Sequence, residues 1–124
     1  MRWLLHGKLT GAVDAALRRH GQDTRTGADV GLTPDTDFQT LYQTARKSQL
    51  EILTAEPSVA HAPFEQHLPF FDRTVVLLHV DGGDVEQDDA IDRLFERYKR
   101  LAPGRLYTVT GSRVKIRQLP TEFR

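Results

Sequence analysis

The sequence lacks cysteine altogether, and none of its apolar stretches approaches the length of a membrane span. The first absence excludes disulfides, thiolate zinc sites and cysteine nucleophiles. The second argues against a bilayer-spanning helix, which needs about 20 apolar residues. The apolar run within Met1–Gly7 is also too short for a signal peptide, so we expect a cytoplasmic protein without a membrane partner.

Familiar nucleotide-binding and calcium-binding motifs are missing as well. Gly82 and Gly83 lack the spacing of a Walker or dinucleotide-binding loop, and the acids between Asp81 and Asp89 do not follow the EF-hand spacing. What is present is a chain of 124 residues with 39% hydrophobic and 27% charged residues, ordinary values for a globular protein. No internal repeat or linker interrupts it, so we expect one domain over residues 1–124.

The 17 basic and 17 acidic residues cancel overall but are distributed unevenly. Residues 51–92 contain ten acids and one base, whereas residues 93–124 contain nine bases and two acids. A basic end of this kind can meet nucleic acid or an acidic partner. It can equally be neutralised by the acidic middle of the same chain or of a second copy, so RNA, a partner protein and a homodimer all stay open.

Runs of apolar residues predict the strands of a sheet. The run TVVLLHV at 74–80 is the clearest, because it is apolar nearly throughout, as strands in the middle of a parallel sheet are. His79 within it is predicted to be a hydrogen-bonded core residue. Shorter runs predict strands at 2–5 and 50–54. A short second strand is placed at 22–25 by its position between the first helix and the following loop, and a hairpin is predicted at 106–118 around Gly111-Ser112, which has the type II′ signature.

Apolar side chains at helical spacing predict three helices, with polar capping residues and glycine or proline breakers at their ends. Their predicted limits are Thr10 to Gly21, Asp35 or Asp37 to Ala45, and Ala90 to Pro103. Residues 55–72 have a poor pattern and are predicted to be a loop with room for a short helix. The alternation of elements predicts an α/β fold with a mainly parallel sheet between helical layers and a C-terminal antiparallel hairpin.

In this order the elements resemble the compact PIN-like family often found in bacterial toxin–antitoxin operons, and they are similar to the nuclease-like C-terminal domain of the mut-seven exonuclease. Family members carry patterns such as LADEN, GHD, SDEEIL, LVTxDxDF and GRVRIRPLP along the chain. The corresponding stretches here, over about residues 2–120, are LLHGKL at 4–9, HGQDT at 20–24, DFQTL at 37–41, ILTAEPSV at 52–59 and GSRVKIRQLP at 111–120. The resemblance implies a PIN-like three-layer α/β/α fold.

The resemblance also implies a site for RNA hydrolysis, in which carboxylates at the C-terminal ends of parallel strands hold Mg²⁺ or Mn²⁺. Here His6 replaces the first-strand acid, and the acid of the second helix falls at Phe38, with Asp37 one residue early. At the third strand Glu56 matches, but Ser58 replaces the next acid. The comparison therefore implies that hydrolysis is lost and that no cofactor is needed, with Asp37 and Glu56 as residual catalytic candidates.

Two alternatives remain for these residues. His6 is a good ligand for softer ions, so a Mn²⁺ or Mg²⁺ site built from His6, Asp37 and Glu56 is one of them. In the other, His6 caps its strand and contacts the amino end of the following helix, while Asp37 is only a helix cap.

The basic end of the chain is a second candidate site. Arg113, Lys115 and Arg117 alternate with apolar residues, so the three cations share one face of a strand. With Arg105 nearby in sequence they predict a nucleic-acid-binding surface. The alternative is a charged edge strand that prevents edge-to-edge aggregation.

Three functions are compatible with these features. The leading hypothesis is a non-catalytic PIN-like module that binds RNA or a partner protein such as an antitoxin. The second is a toxin-like ribonuclease that depends on Mn²⁺ or Mg²⁺ bound by an altered ligand set. The third is a structural or interaction subunit that dimerises through its acidic middle and its basic end.

Overall fold

A computed structural model of the protein describes residues 1–66, 68 and 70–120. Its strands are β1 (Arg2–His6), β2 (Asp23–Thr26), β3 (Glu51–Thr54), β4 (Val75–Leu78), β5 (Arg105–Val109) and β6 (Val114–Gln118). Its helices are α1 (Gly11–Arg19), α2 (Phe38–Lys47), α3 (Pro57–Glu65) and α4 (Asp84–Arg97), with a short 3-10 helix at Ala28–Val30. Over these residues no helix is both long enough and apolar enough to cross a membrane.

The six strands form one sheet in the order β2-β1-β3-β4-β5-β6. The strands from β2 to β5 run parallel to their neighbours, and β6 runs antiparallel to β5. Parallel neighbours need crossover connections, and the helices that supply them cover both faces of the sheet. The predicted α/β fold, a mainly parallel sheet in three layers with a C-terminal antiparallel hairpin, is confirmed.

Alternate side chains of the central strands enter two separate cores. Trp3 of β1 joins α1 and α4 in the first core, and Leu4 joins α2 and α3 in the second. The same alternation continues in β3 and β4, all eight residues of which are buried. Each fully buried large apolar side chain contributes about 1.5–3 kcal/mol, so burial on two faces accounts for the continuous apolar runs in the sequence.

Capping residues set the beginnings of α1 and α2. The Thr10 hydroxyl accepts a hydrogen bond from the Ala12 amide at 3.3 Å, and the Asp37 carboxylate accepts one from the Thr40 amide at 2.7 Å. Asp37, and not Asp35, is therefore the cap of α2. After α1, Gly21 adopts a positive φ of +75°, a conformation that favours glycine, and the chain turns into β2.

Three local predictions were wrong or too vague. Residues 55–72, predicted to be mainly loop, contain the nine-residue helix α3, which the prolines obscured. Helix α4 ends at Arg97, well before Pro103, because the backbone of Tyr98 is extended. The chain then turns so that Leu101 joins the first core.

The hairpin loop is not of type II′, because Gly111 has no positive φ. The Thr110 hydroxyl accepts a hydrogen bond from the Arg113 amide across the loop instead.

A charged cluster joins α1 to α4. Arg19 Nη2 lies 2.6 Å from Asp88 Oδ1 and 3.0 Å from Asp92 Oδ1, and His20 Nε2 lies 2.8 Å from Asp92 Oδ1. The hydrogen bonds from His20 and then from Arg19 lower the pKa of the Asp92 carboxyl. The His20 ring also stacks on Phe95, with the ring centroids 5.1 Å apart. The cluster therefore fixes how the two helices of this layer meet.

Replacing Asp92 with asparagine should lower the free energy of unfolding at neutral pH by about 1 kcal/mol, the order expected for a partly exposed charged hydrogen bond. Because the folded-state pKa lies below the unfolded value, this contribution is complete above about pH 4. It is lost as the pH falls through the folded-state pKa of Asp92. Urea unfolding of the wild type and of Asp92→Asn, from neutral pH down to about pH 2.5, measures the difference.

The matched control is Asp72→Asn. Asp72 Oδ1 lies 3.9 Å from Arg46 Nε, and both side chains are about half exposed, so a smaller loss is expected. Equal unfolding free energies for the wild type and Asp92→Asn at every pH would contradict the assigned role of the cluster.

Candidate functional site

The winding of the chain reverses between β1 and β3. Strand β1 pairs with β2 on one side and with β3 on the other. The connection that follows β1 therefore runs towards one edge of the sheet, and the connection that follows β3 runs towards the other edge. Open α/β sheets bind ligands in the crevice that forms at such a point. A cavity of about 420 Å³ lies there, with His6, Gly27, Leu32, Thr33, Pro34 and Glu56 among the residues of its walls.

His6 and Glu56 meet at one end of this cavity, which we call the switch-point pocket. His6 is level with Thr54 in the β1–β3 register, and its Nδ1 lies 3.0 Å from Thr54 Oγ1. Glu56 Oε2 is 4.0 Å from the same His6 nitrogen. A Cβ on Gly7, which has a φ of +86°, would lie 3.2 Å from Glu56 Cγ, so the glycine lets the glutamate approach β1. His6 thus forms its hydrogen bond with Thr54 of β3, and over the described residues no hydrogen bond joins its side chain to the amino end of α1.

Asp37 does not join this pair. Its carboxylate is occupied as the cap of α2, where hydrogen bonds from Thr40 lower its pKa. Over residues 1–66, 68 and 70–120, no three His, Asp or Glu side chains come close enough together to hold a metal ion. The three-residue site expected from His6, Asp37 and Glu56 is therefore not assembled. One carboxylate beside one imidazole does not fit Mg²⁺ or Mn²⁺, which prefer several oxygen ligands.

Three of the four cations predicted to bind nucleic acid share one face, as expected from their alternation. Arg113, Lys115 and Arg117 are exposed, and they share the side of the sheet that carries α2 and α3. The guanidinium carbon of Arg117 lies 3.6 Å from the centroid of the Phe64 ring of α3, a close cation–π contact. Sequence alone could not pair these two residues, because 53 positions separate them.

Arg105 lies on the other side of the sheet. Leu106 belongs to the second core and Tyr107 to the first, so Arg105 shares a side with Tyr107 and α4. In the register of the hairpin, Arg105 lies opposite Gln118, the residue that follows Arg117. Arg105 therefore does not share a surface with Arg113, Lys115 and Arg117 as expected, because successive side chains of a strand point to opposite faces of the sheet.

His79 is exposed, and the prediction that it is a core residue was wrong. Strand β4 ends at Leu78, and the His79 amide continues the ladder by donating to the Val109 carbonyl at 2.8 Å. Counting from Val75 and Leu77 of the second core, the His79 side chain is on the α2–α3 side. We call His79, Arg113, Lys115 and Arg117 the basic face. The Asp81-Gly82-Gly83 turn was the available signal that the buried run ends before His79.

The acids that the structure describes form no ion pair with this face. In the described part of the chain, the paired acids of residues 51–92 contact His6, Arg19, His20, Arg46 and Arg73. Within the same part, no lysine or arginine after residue 92 lies within ion-pair distance of an acid. Direct pairing of the basic end with the acidic middle of the same chain, one of the sequence alternatives, therefore does not occur there.

Comparisons of the chain with protein families, with curated proteins and with solved structures found no match. The assignment of a function therefore depends on the residues of the switch-point pocket and of the basic face.

Proposed function

We propose that the protein is a non-catalytic PIN-like module that binds single-stranded RNA through its basic face. The observation that carries the proposal is the exposure of three cations on one side of β6 without acidic partners among the described residues. Unneutralised lysine and arginine side chains gain binding energy by displacing the counterions of a phosphate backbone.

The spacing of the cations suits an extended strand of nucleic acid. Side chains two residues apart on a strand are about 7 Å from each other, so Arg113, Lys115 and Arg117 form a row along β6. Successive phosphates of one RNA strand can lie along such a row. The stacking of Arg117 on Phe64 restricts the conformations of the Arg117 side chain before RNA binds, which lowers the entropic cost of binding.

The composition of the switch-point pocket supports the non-catalytic part of the proposal. Hydrolysis in the resembling family depends on clustered carboxylates, whereas among the described acids Glu56 alone lies close to His6 in the pocket. Asp37 is held at the amino end of α2, where its carboxylate accepts a hydrogen bond from the Thr40 amide. The proximity of His6 and Glu56 is the observation that favours the second candidate, a metal-dependent ribonuclease.

The double variant Arg113→Gln/Lys115→Gln should bind RNA more weakly and with a weaker dependence on salt. Each phosphate contact to a single strand contributes about 0.7 to the slope of log K against log salt, so removing two should lower its magnitude by about 1.4. Fluorescence anisotropy with a labelled oligouridylate of about 12 nucleotides, titrated between about 50 and 300 mM KCl, measures both effects. Arg117 is retained because its loss would also expose Phe64.

The control variant is Arg2→Gln/Lys47→Gln, which removes the same charge from two places outside β6, the start of β1 and the end of α2. Both side chains are exposed, and β1 begins at Arg2, far from the start of β6. If the control and the double variant lose the same affinity and the same salt slope, binding is a property of the total charge and the basic face is not the site.

Calorimetric titration with Mn²⁺ or Mg²⁺ should show no micromolar binding to the wild type, because the pocket provides one carboxylate and not a cluster. Glu56→Gln should behave identically, and RNA incubated with either ion should stay intact. Micromolar binding by the wild type that disappears in Glu56→Gln would contradict the proposal and favour the ribonuclease.

A further inference from the structure

The outer edge of β6 carries main-chain groups without partners in the described part of the chain. The Thr110 amide donates to the Arg113 carbonyl at 2.9 Å, and the Leu119 amide donates to the Gly104 carbonyl at 2.9 Å. In an antiparallel pair the residues that bond across the ladder alternate, so 113, 115, 117 and 119 face β5. The amides and carbonyls of Val114, Ile116 and Gln118 therefore face outward, beyond the last strand of the sheet.

The opposite edge of the sheet is closed by its own side chains. The Thr24 amide of β2 donates to Asp23 Oδ1 at 2.9 Å, and the Thr24 carbonyl accepts from Arg25 Nη1 at 2.7 Å. The next amide of β2 that faces outward, that of Thr26, donates to Asp29 Oδ2 at 2.9 Å. Side chains that occupy the outward main-chain groups of an edge strand in this way disfavour pairing with a further strand. Within residues 1–66, 68 and 70–120, no side chain does the same for Val114, Ile116 or Gln118 of β6.

The side chains of β6 restrict what can pair with this open edge. On one face a partner strand would lie beside Arg113, Lys115 and Arg117, and on the other beside Val114 and Ile116, which is 40% exposed. Two copies of β6 would place cations against cations, an arrangement that destabilises a sheet. A strand with acids at alternate positions would place carboxylates beside the cations and apolar side chains beside Ile116.

We infer that β6 accepts, as a seventh antiparallel strand, an extended segment of a partner protein in which acidic and apolar residues alternate. Main-chain hydrogen bonds to Val114, Ile116 and Gln118 provide the affinity, and the charge pattern provides the selectivity. The inference goes beyond RNA binding, because it depends on the backbone of β6 and not on phosphate contacts.

The test uses the whole protein and a labelled peptide, acetyl-Thr-Glu-Val-Glu-Val-Glu-Thr-amide, in the absence of RNA. We expect saturable binding by fluorescence anisotropy that weakens as salt is raised. A peptide of the same composition without alternation, Thr-Val-Glu-Glu-Glu-Val-Thr, should bind at least about tenfold more weakly, since it cannot place three acids on one face. Equal affinity for the two peptides would reduce the interaction to charge attraction and overturn the inference.

The decisive variant is Ile116→Pro, which removes one outward amide and keeps every charge. Proline is tolerated on edge strands where the missing amide faces away from the sheet. We expect a loss of peptide affinity of at least about tenfold, whereas Ile116→Thr, which keeps the amide, should stay within about threefold of the wild type. RNA affinity should be unchanged in Ile116→Pro, so failure of this inference and failure of the proposed RNA binding are separable.

N-methylated peptides test the same hydrogen bonds without altering the protein, should Ile116→Pro fail to fold. In the antiparallel register the valine amides of the peptide face β6 and the glutamate amides face away. N-methylation of both valines should abolish binding, and N-methylation of two glutamates should leave it within about threefold. Equal loss of affinity for both methylated peptides would overturn the inference, as would binding that neither methylation weakens.

A concentration-dependent dimer through β6 in sedimentation equilibrium, abolished by Ile116→Pro, would identify a second copy of the chain as the occupant of the edge. That result would also overturn the inference.

Discussion

Pairing of β1 on both of its edges is the constraint on which the rest of the structure depends. The strand holds β2 and β3 in parallel register, and its alternate side chains Trp3 and Leu4 begin the two cores. Parallel strands must be joined by crossovers, so pairing on two sides sends helices to both faces of the sheet. Stability in this arrangement comes from apolar burial on both faces of the central strands, and the charged residues are left mainly at the edges and ends.

The same constraint separates two places where the molecule can bind something. The switch-point pocket exists because the chain turns away in two directions from β1 and β3. The basic face exists because the sheet continues past β4 to a last strand that runs antiparallel to β5, and no other strand of the described chain covers the outer edge of that last strand. Their chemistry differs: the pocket has an imidazole beside one carboxylate, while β6 has exposed cations and outward main-chain groups.

The charge asymmetry of the sequence acquires a specific meaning in this fold. Asp88 and Asp92 help to fasten α4 to α1 through Arg19 and His20, and Glu51, although 3% exposed, lies near Arg73 and accepts from the Thr74 amide. Acids of the middle segment thus contribute to folding, whereas the cations of β6 contribute little to it beyond the stacking of Arg117 on Phe64. Residues without a structural task on an exposed edge are the ones available for an external partner.

Short-range patterns in the sequence determined most of the fold. Apolar runs predicted β1, β3 and β4, Thr10 and Asp37 predicted helix starts, and alternation placed three cations on one face of the last strand. Each of these features depends only on neighbours along the chain. The positions of Arg105 and His79 were decided only by tertiary structure, since they depend on where a strand ends and on which face a neighbour in the sheet presents. Tertiary structure also brought Glu56 to His6 and Phe64 to Arg117, left Asp37 out of the pair that His6 and Glu56 form, and placed β6 at the edge. Contacts between residues about 50 positions apart are set by the order of the strands, which no local pattern encodes.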